Sequence, residues 1–238
     1  MSYMINSISF IIPVYNEKHT LEIIIDRVEK VNLGIEKEII IVDDYSTDGS
    51  REIIKNLSDK YKKIFHDKNV GKGAAIRNGV KSATGDLIII QDADLEYNPE
   101  DIKLLLPPII NNEADVVYGS RFLSGNPRRV IFFWHMVGNK LLTMLVNMVS
   151  NFNFTDMETC YKLFRSNIIK NIEIEEDRFG FEPEITLKIC RMNCRVYEVG
   201  ISYYGRSYEQ GKKINWKDGV HALRCILKYG IIRKIFDK

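Results

Sequence analysis

Asp92 and Asp94 are two carboxylates separated by a single alanine, and they follow the apolar run 87–90 almost directly. A short apolar run that ends in acids is typical of a buried strand in a parallel sheet, and alternation along the strand lets both carboxylates face the same way. Neighbouring carboxylates repel each other unless a cation neutralises them. We therefore interpret Asp92 and Asp94, with Glu96 as a third candidate, as ligands for Mg²⁺ or Mn²⁺. The alternative is a polar turn after a strand.

Acids also follow two other apolar runs. Glu17 comes after the run 8–15, and Asp43 and Asp44 end the run that begins at residue 38. In a parallel sheet such residues lie at one edge, where ligands bind. An acidic crevice there would attract a cation, and a cation would attract a diphosphate, which favours a nucleotide-bearing substrate.

The hydrophobic pattern also predicts the elements that must position these residues. Strands are predicted at 8–15, 38–43, 64–66, 87–90 and 116–118, and helices at 21–28, 50–61, 74–82 and 100–111. Alternation of this kind predicts an α/β fold with a doubly wound, mostly parallel sheet and helices on both faces.

Composition excludes several functional classes. The chain has 238 residues, of which 45% are hydrophobic and 28% charged, as in ordinary globular proteins. A net charge of +2 argues against a nucleic-acid-binding protein. The four cysteines have no paired spacing, so we interpret them as reduced core thiols rather than as a zinc site. We find neither a secretion signal nor an apolar run long enough to span a membrane, and we expect a cytoplasmic protein.

The glycines do not form a known nucleotide-binding loop. Gly71-Lys-Gly73 lacks the third glycine of a dinucleotide-binding turn, and no Gly-Lys-Ser/Thr sequence of a P-loop follows it. Hydride-transferring and P-loop enzymes are therefore disfavoured.

Five segments, in this order and at these spacings, resemble a known family. They are Ile-Pro-Val-Tyr-Asn-Glu17, Val-Asp-Asp-Tyr-Ser-Thr-Asp-Gly49, Asn-Val-Gly-Lys-Gly73, Asp-Ala-Asp94 and Gly-Ser-Arg121. Together they resemble inverting family 2 glycosyltransferases with the nucleotide-diphospho-sugar (GT-A) fold. The most similar branch is the polyprenyl-phosphate sugar transferases of the dolichol-phosphate mannosyltransferase type. The resemblance covers roughly residues 7 to 215.

This resemblance implies a role for each matching residue. The base and ribose of a nucleotide-diphospho-sugar donor would lie against Pro13, Tyr15, Glu17 and Asp43. The metal that bridges the donor phosphates would be held by Asp92, Asp94 and Glu96. The phosphate of a polyprenyl-phosphate acceptor would be held by Arg121, by Arg128 or Arg129, and by Arg206. Asp94, Arg121 and Arg206 are the catalytic candidates.

The acceptor is left open between two chemical types. A polyprenyl phosphate is already ionised, so it needs no general base. A hydroxyl of a polysaccharide or glycan in cell-envelope biosynthesis would need one, and the candidates are Glu176, Asp177, Glu182 and Glu184. The segment 156–162 departs from the mannosyltransferase pattern, so the donor sugar and base are also left open.

The second half of the chain suggests contact with a membrane surface. We predict a single catalytic domain at 1–215, with a nucleotide-sugar-binding half at 1–122 and an acceptor-binding half at 123–215, and a basic amphipathic helix at 216–238. That helix places Leu223, Ile226, Leu227 and Ile231 near one face. With Phe132, Phe133 and Trp134 it would form a lipid-facing lip at the inner face of the cell membrane. Alternatively, the helix packs on the protein's own sheet.

Overall fold

The computed structural model describes residues 4–123, 125–130, 132–207, 209 and 216–232. Its strands are β1 (Ser7–Val14), β2 (Glu36–Asp43), β3 (Lys62–Phe65), β4 (Leu87–Ile90), β5 (Val116–Ser120), β6 (Lys162–Arg165) and β7 (Val196–Gly200). Its α-helices are α1 (Leu21–Lys30), α2 (Ser50–Asn56), α3 (Lys72–Ser82), α4 (Ile102–Ile110), α5 (Phe133–Ser150), α6 (Ser166–Lys170), α7 (Phe181–Cys190) and α8 (Trp216–Cys225). A 3₁₀ turn (Pro99–Asp101) precedes α4, and a π-helical segment (Ile226–Ile232) continues α8.

The strands form one seven-stranded sheet in the order β3-β2-β1-β4-β6-β5-β7. All neighbouring strands run parallel except β6, which is antiparallel to both β4 and β5. The predicted mostly parallel α/β sheet is therefore confirmed. Strands from both predicted halves of the domain share this sheet, and the division into a donor half and an acceptor half stays a prediction.

The central strands are buried because both sheet faces are covered. Every residue of β4 is buried, and β1 is buried from Ile8 to Ile12. Continuous burial of this kind explains why β4 is entirely apolar, and why the buried part of β1 contains Ser9 as its one polar residue instead of alternating. Their carboxyl ends then deliver the polar residues that follow them to one edge of the sheet.

Several predicted helix boundaries were wrong: α1 ends at Lys30 rather than at residue 28, and α4 spans Ile102–Ile110 rather than 100–111. Helix α2 ends at Asn56 rather than at residue 61, because Leu57 is extended (φ −64°, ψ 157°) and the chain turns toward β3. Helix α3 begins at Lys72, two residues earlier than predicted. This earlier start places Lys72 in the first turn, at the sheet edge that carries the acids.

The C-terminal helix packs on the protein rather than standing apart. Ala222, Cys225, Ile226 and Tyr229 are buried. The last three belong to a hydrophobic cluster that includes residues of α5 and α7. The predicted lipid-facing stripe is therefore wrong for Ile226, whereas three of its members remain exposed: Leu223, Leu227 and Ile231. Residues 233–238 lie outside the described part of the chain.

Glu38 ties three strands together and gives a pH-dependent prediction. Its carboxylate accepts hydrogen bonds from Ser9 of β1 and from the backbone and hydroxyl of Thr84 before β4, and it pairs with Lys62 of β3. Burial alone would raise the pKa of Glu38, but these partners outweigh it and lower the pKa to about 2.

Because this pKa lies below the unfolded value of about 4.3, the stabilisation is complete above about pH 5 and is lost as pH falls toward 2. We expect Glu38→Gln to lower the free energy of unfolding by about 1 kcal/mol at pH 7 and by little near pH 2.5, measured by urea denaturation. Glu22→Gln, at an exposed position of α1, is the control. A difference that is independent of pH would contradict the assignment.

Candidate active site

A cavity of about 920 Å³ opens at the carboxyl ends of β1 and β4. Except for Asp43, its wall includes all the residues predicted to bind the donor, the metal or the acceptor phosphate: Pro13, Tyr15, Glu17, Asp92, Asp94, Glu96, Arg121, Arg128, Arg129 and Arg206. The predicted donor and acceptor residues, which are far apart in sequence, therefore share one cavity.

Asp92 is neutralised by a lysine that the sequence analysis did not single out. Lys72 Nζ lies 2.8 Å from Asp92 Oδ1 and 3.6 Å from Glu182 Oε1. Burial alone would raise the pKa of Asp92, but the charge of Lys72 outweighs it and lowers that pKa. Lys72 lies within the Gly71-Lys-Gly73 segment, so its position in the motif was the available signal.

The other acids of the cavity surround Arg206. The Nη2 atom of Arg206 lies 3.2 Å from Glu17 Oε1 and 3.1 Å from Asp94 Oδ2. Its backbone N–H donates to Glu96 Oε1 at 2.6 Å, and Tyr203 donates its hydroxyl to Glu96 Oε2 at 2.8 Å. One guanidinium thus holds together acids from the ends of β1 and β4.

Arg206 does not fully neutralise the negative charge around Asp94. Burial, followed by repulsion from Asp92 and Glu96, raises the pKa of Asp94 to about 7. The oxygens of these three carboxylates do not meet at one point: within the described ranges, the one group of at least three His, Cys, Asp or Glu residues with ligand atoms within 4.8 Å of one another lies elsewhere. The carboxylates share a cavity but are held apart by Lys72 and Arg206.

Asp43 and Asp44 have different surroundings although they are adjacent. Asp43 is fully buried at the end of β2, outside the cavity wall, and lies 3.3 Å from Arg51 Nε. Asp44 lines the cavity instead, and its carboxylate accepts the backbone N–H groups of Val70 and Gly71 at 2.8 Å each. Asp44 therefore fixes the loop that leads into α3, a role that the sequence analysis missed.

Arg121 is held by a buried carboxylate. Its Nε and Nη2 atoms donate to the two oxygens of Asp156 at 2.7 Å each, and its guanidinium carbon lies 5.2 Å from the centroid of the Tyr203 ring. Because Tyr203 also donates to Glu96, it connects the acidic part of the cavity with its basic part. Asp156 begins the segment that departs from the mannosyltransferase pattern.

Arg128 and Arg129 are exposed at the cavity rim. The Nη1 atom of Arg129 donates to the carbonyl of Gly205 at 3.0 Å, and the guanidinium carbon of Arg128 lies 5.8 Å from the centroid of the Phe122 ring. Both arginines thus lie at the entrance, whereas Arg121 and Arg206 lie deeper.

The four general-base candidates are separated by the fold. Glu182 lines the cavity, and its Oε2 atom is buried without a hydrogen-bond partner among the described residues. Glu184 instead accepts the backbone N–H groups of Glu175 and Glu176 at 2.8 Å each. Neither Glu176 nor Asp177 is part of the cavity wall. Of the four, only Glu182 is placed where a base could act on a bound acceptor.

An apolar surface continues from the arginines along α5. The cavity wall includes Val130, Phe132, Trp134, Met136 and Leu142, whereas Phe133 is not part of it and is 62% exposed. Phe132 and Trp134 thus lie at the cavity and Phe133 is exposed beside them, and the lipid-facing lip formed by these three residues stays a prediction. Within the described residues, no helix has the length and apolar character needed to cross a membrane.

Comparison with known proteins decides the family. Residues 9–173 match the family model described as Glycosyl transferase family 2. The chain belongs to glycosyl transferase family 2. The match begins within β1 and extends beyond β6. It includes the cavity acids that follow the strands, Glu17, Asp44, Asp92 and Asp94.

Curated relatives of this glycosyl transferase family 2 chain include lipid-phosphate sugar transferases. It is 32% identical over 215 residues to the dolichol-phosphate mannosyltransferase of Pyrococcus furiosus, covering 87% of this chain and 60% of that protein. It is 29% identical over 214 residues to the undecaprenyl-phosphate 4-deoxy-4-formamido-L-arabinose transferase of Aeromonas hydrophila, covering 87% of this chain and 63% of that protein. The chain thus spans about three fifths of the length of these relatives.

Solved structures confirm the predicted GT-A fold of this family 2 chain. Glucosyl-3-phosphoglycerate synthase from Mycobacterium tuberculosis, in complex with Mn²⁺, UDP and glucosyl-3-phosphoglycerate, superposes with a TM-score of 0.73 at 16% identity. That superposition covers 94% of this chain and 80% of the other. The complex of the same enzyme with Mg²⁺ and UDP gives a TM-score of 0.72 at 17% identity, covering 94% and 79%.

Proposed function

We propose that this protein is a metal-dependent inverting glycosyltransferase that moves a sugar from a nucleotide-diphospho-sugar to a polyprenyl phosphate. The observation that carries this proposal is a single cavity in which carboxylates, arginines and an apolar wall follow one another. A nucleotide diphosphate with its cation suits the carboxylates, a phosphate suits the arginines, and an isoprenoid chain suits the apolar wall.

The donor would bind at the acidic end of the cavity. Pro13, Tyr15, Glu17 and Asp44 lie where a base and ribose would bind, with the loop fixed by Asp44 beneath them. We keep Asp43 as a supporting residue of this pocket through its place at the end of β2. The complexes of the mycobacterial synthase with UDP support a pocket of this kind in this fold.

The chemistry of these carboxylates suits a divalent cation, although their oxygens would have to move closer together to bind one ion. Asp92, Asp94 and Glu96 offer only carboxylate oxygens, which Mg²⁺ and Mn²⁺ prefer. The positively charged guanidinium of Arg206 already lies beside Asp94 and Glu96. Burial and then repulsion from Asp92 and Glu96 still raise the pKa of Asp94, and a bound cation would relieve that repulsion. When bound, the cation would supply Lewis-acid stabilisation of the nucleoside diphosphate leaving group.

The acceptor phosphate would bind among the arginines. Arg121 is oriented by Asp156, and Arg206 has a buried Nε–H without a hydrogen-bond partner among the described residues. Arg128 and Arg129 would meet the phosphate at the rim. An ionised phosphate oxygen held here attacks the anomeric carbon from the face opposite the departing diphosphate, so the configuration inverts and no base is needed.

Membrane contact would bring the lipid acceptor to this cavity. The outer surface of α5 exposes Phe133, Trp134, Leu141, Met144 and Met148. On α8 and its continuation the exposed apolar residues are Val220, Leu223, Leu227 and Ile231. Because α5 and α8 pack against each other, these residues support peripheral contact with the cytoplasmic face of a membrane.

A hydroxyl acceptor is the second candidate, and one observation favours it. Glu182 faces the cavity with an oxygen that lacks a hydrogen-bond partner among the described residues, as a general base would require. The acceptor would then be a glycan or polysaccharide hydroxyl, and Glu182 would take its proton.

The test supplies radiolabelled UDP-, GDP- and dTDP-sugars with Mn²⁺ to the protein and to its Glu182→Gln variant, with either undecaprenyl phosphate or soluble glycans as acceptor. We expect label that extracts into organic solvent and is released by mild acid. Because a phosphate acceptor needs no base, Glu182→Gln should change kcat with that acceptor by less than about tenfold. Label that appears only on glycans, with a loss of about 10²-fold or more in Glu182→Gln, would establish the hydroxyl acceptor instead.

A further inference from the structure

Outside the cavity wall, Glu176, His221 and Cys225 bring three side chains of metal-binding type together. Glu176 lies in the loop before α7, whereas His221 and Cys225 lie one turn apart on α8. The Nε2 atom of His221 is 3.0 Å from Glu176 Oε2 and 3.7 Å from Cys225 Sγ, and all three ligand atoms lie within 4.8 Å of one another. The spacing of four residues on a helix directs both α8 side chains to the same side.

These distances fit the edges of a tetrahedral zinc site. Zn–N distances of about 2.0 to 2.1 Å and a Zn–S distance of about 2.3 Å place neighbouring ligand atoms roughly 3.4 to 3.6 Å apart. The observed separations of 3.0 and 3.7 Å lie close to that range. The third separation, between the Glu176 carboxylate and Cys225 Sγ, is no more than 4.8 Å, so side-chain adjustment would be needed to centre an ion among the three atoms.

The two oxygens of Glu176 are used differently. Oε1 accepts hydrogen bonds from Lys228 Nζ at 3.1 Å and Tyr229 OH at 2.9 Å, whereas Oε2 points to His221. Carboxylates that bind metals are commonly oriented in this way by hydrogen bonds to the oxygen that faces away from the ion. Lys228 and Tyr229 therefore orient Glu176 without taking the oxygen that faces the other two ligands.

Space and access also suit a small ion. A Cβ atom at Gly180 would lie 2.6 Å from Cys225 Sγ and 2.9 Å from His221 Nε2, so only glycine lets α7 begin this close to the cluster. Cys225 is buried, whereas the His221 side chain is 30% exposed. That exposed side offers an entry path and a position for a water as fourth ligand.

We propose that Glu176, His221 and Cys225 form a binding site for a divalent transition metal, Zn²⁺ in the first instance, that fastens α8 to the loop before α7. The nitrogen and sulfur ligands distinguish it from the all-oxygen set of Asp92, Asp94 and Glu96. The spacing of the cysteines along the chain argued against a zinc site. The cluster could not be recognised from the sequence because Glu176 lies 45 residues before His221 and approaches it only in the folded protein.

Such a site would restrict movement of the loop before α7 and of the first turn of α3, which packs against that loop. The backbone carbonyls of Glu176 and Asp177 pack against Gly73 and Gly71 so closely that a Cβ atom at either glycine would lie 2.1 to 2.4 Å from them. Asp177 also accepts the backbone N–H of Ala74 at 3.0 Å. A metal that holds Glu176 would therefore also hold the first turn of α3, which carries Lys72.

The test is titration of the metal-free full chain with Co²⁺, followed by near-ultraviolet absorption. A cysteine thiolate bound to Co²⁺ gives a sulfur-to-metal charge-transfer band, whereas oxygen ligands at Asp92 and Asp94 give none. We expect one equivalent of Co²⁺ to produce this band and Zn²⁺ to abolish it by displacement. The absence of the band in the wild-type chain would overturn the proposal.

Matched variants assign the ligands. Cys225→Ser should lose the band, and His221→Gln, a change at a partly exposed position, should weaken Co²⁺ affinity at least tenfold. Cys190→Ser, which removes a thiol outside the cluster, should leave the band unchanged. Circular dichroism checks that each variant is folded. A band that persists undiminished in both Cys225→Ser and His221→Gln would overturn the proposal, and none of these readouts depends on glycosyl transfer.

Discussion

Asp94→Asn is expected to lower metal-dependent turnover by about 10²- to 10³-fold while leaving the protein folded. Asparagine keeps the shape of the side chain but removes a charged ligand from the proposed cation site. Initial rates at saturating donor and a range of Mn²⁺ concentrations measure the effect. Because the amide cannot supply a full negative charge, raising the Mn²⁺ concentration should restore only a small part of the rate.

The thermal stability of Asp94→Asn is the control for folding, and we expect a definite direction of change. Burial and repulsion from Asp92 and Glu96 make the charged form of Asp94 unfavourable, as its raised pKa indicates. We therefore expect the thermal midpoint of Asp94→Asn, measured without metal, to equal or exceed that of the wild-type chain. Asp59→Asn, at a fully exposed position, should alter neither turnover nor stability. Unchanged turnover in Asp94→Asn would remove the basis of the proposed metal site.

Arg206→Ala is expected to have opposite effects on metal binding and on turnover. Its guanidinium pairs with Asp94 and lies near Glu96, two of the proposed metal ligands, so it competes with a cation for these carboxylates. Removing it should tighten Mn²⁺ binding in the absence of substrates, measured by calorimetry. It should also lower kcat/KM for the polyprenyl phosphate by about 10²-fold, because the acceptor phosphate would lose a charged hydrogen-bond donor.

A conservative variant separates charge from geometry at Arg206. Arg206→Lys keeps the positive charge but cannot reproduce the planar fork that spans Glu17 and Asp94. We expect it to recover little of the lost turnover while keeping Mn²⁺ affinity near the wild-type value. Arg27→Ala, on the exposed face of α1, is the control. Mn²⁺ affinity that is the same in Arg206→Ala as in the wild-type chain would contradict competition between arginine and metal.

The acids of the cavity could be predicted from the sequence because their positions depend on short-range features. Each follows an apolar run, and burial on both faces of a parallel sheet makes such runs easy to recognise. Once the runs are assigned to parallel strands, topology brings Glu17, Asp44 and Asp92 to one edge. The order and spacing of the motifs then identified the family.

The helix boundaries and the elements of the second half of the chain were harder to predict. No periodic signal separates Asn56 from the residues that follow it, so α2 was extended too far. The antiparallel strand β6 lies between β4 and β5, so its position depends on pairing with two strands that lie far from it in sequence. Ile226 was assigned to the exposed face because α8 and its continuation are apolar on more than one side, and only the contact with α5 and α7 selects the residues that are buried.

The sequence by itself determined the fold class, the family and the set of acids and arginines that the cavity contains. Only the tertiary structure decided how these charges pair. Arg206 meets Asp94 across 112 residues and Glu17 across 189, and Arg121 meets Asp156 across 35. The structure also places Glu182, and not Glu184, in the cavity wall, and it brings Glu176 to His221. Ion pairs and ligand clusters of this kind depend on the packing of distant elements, which local hydrophobic periodicity does not encode.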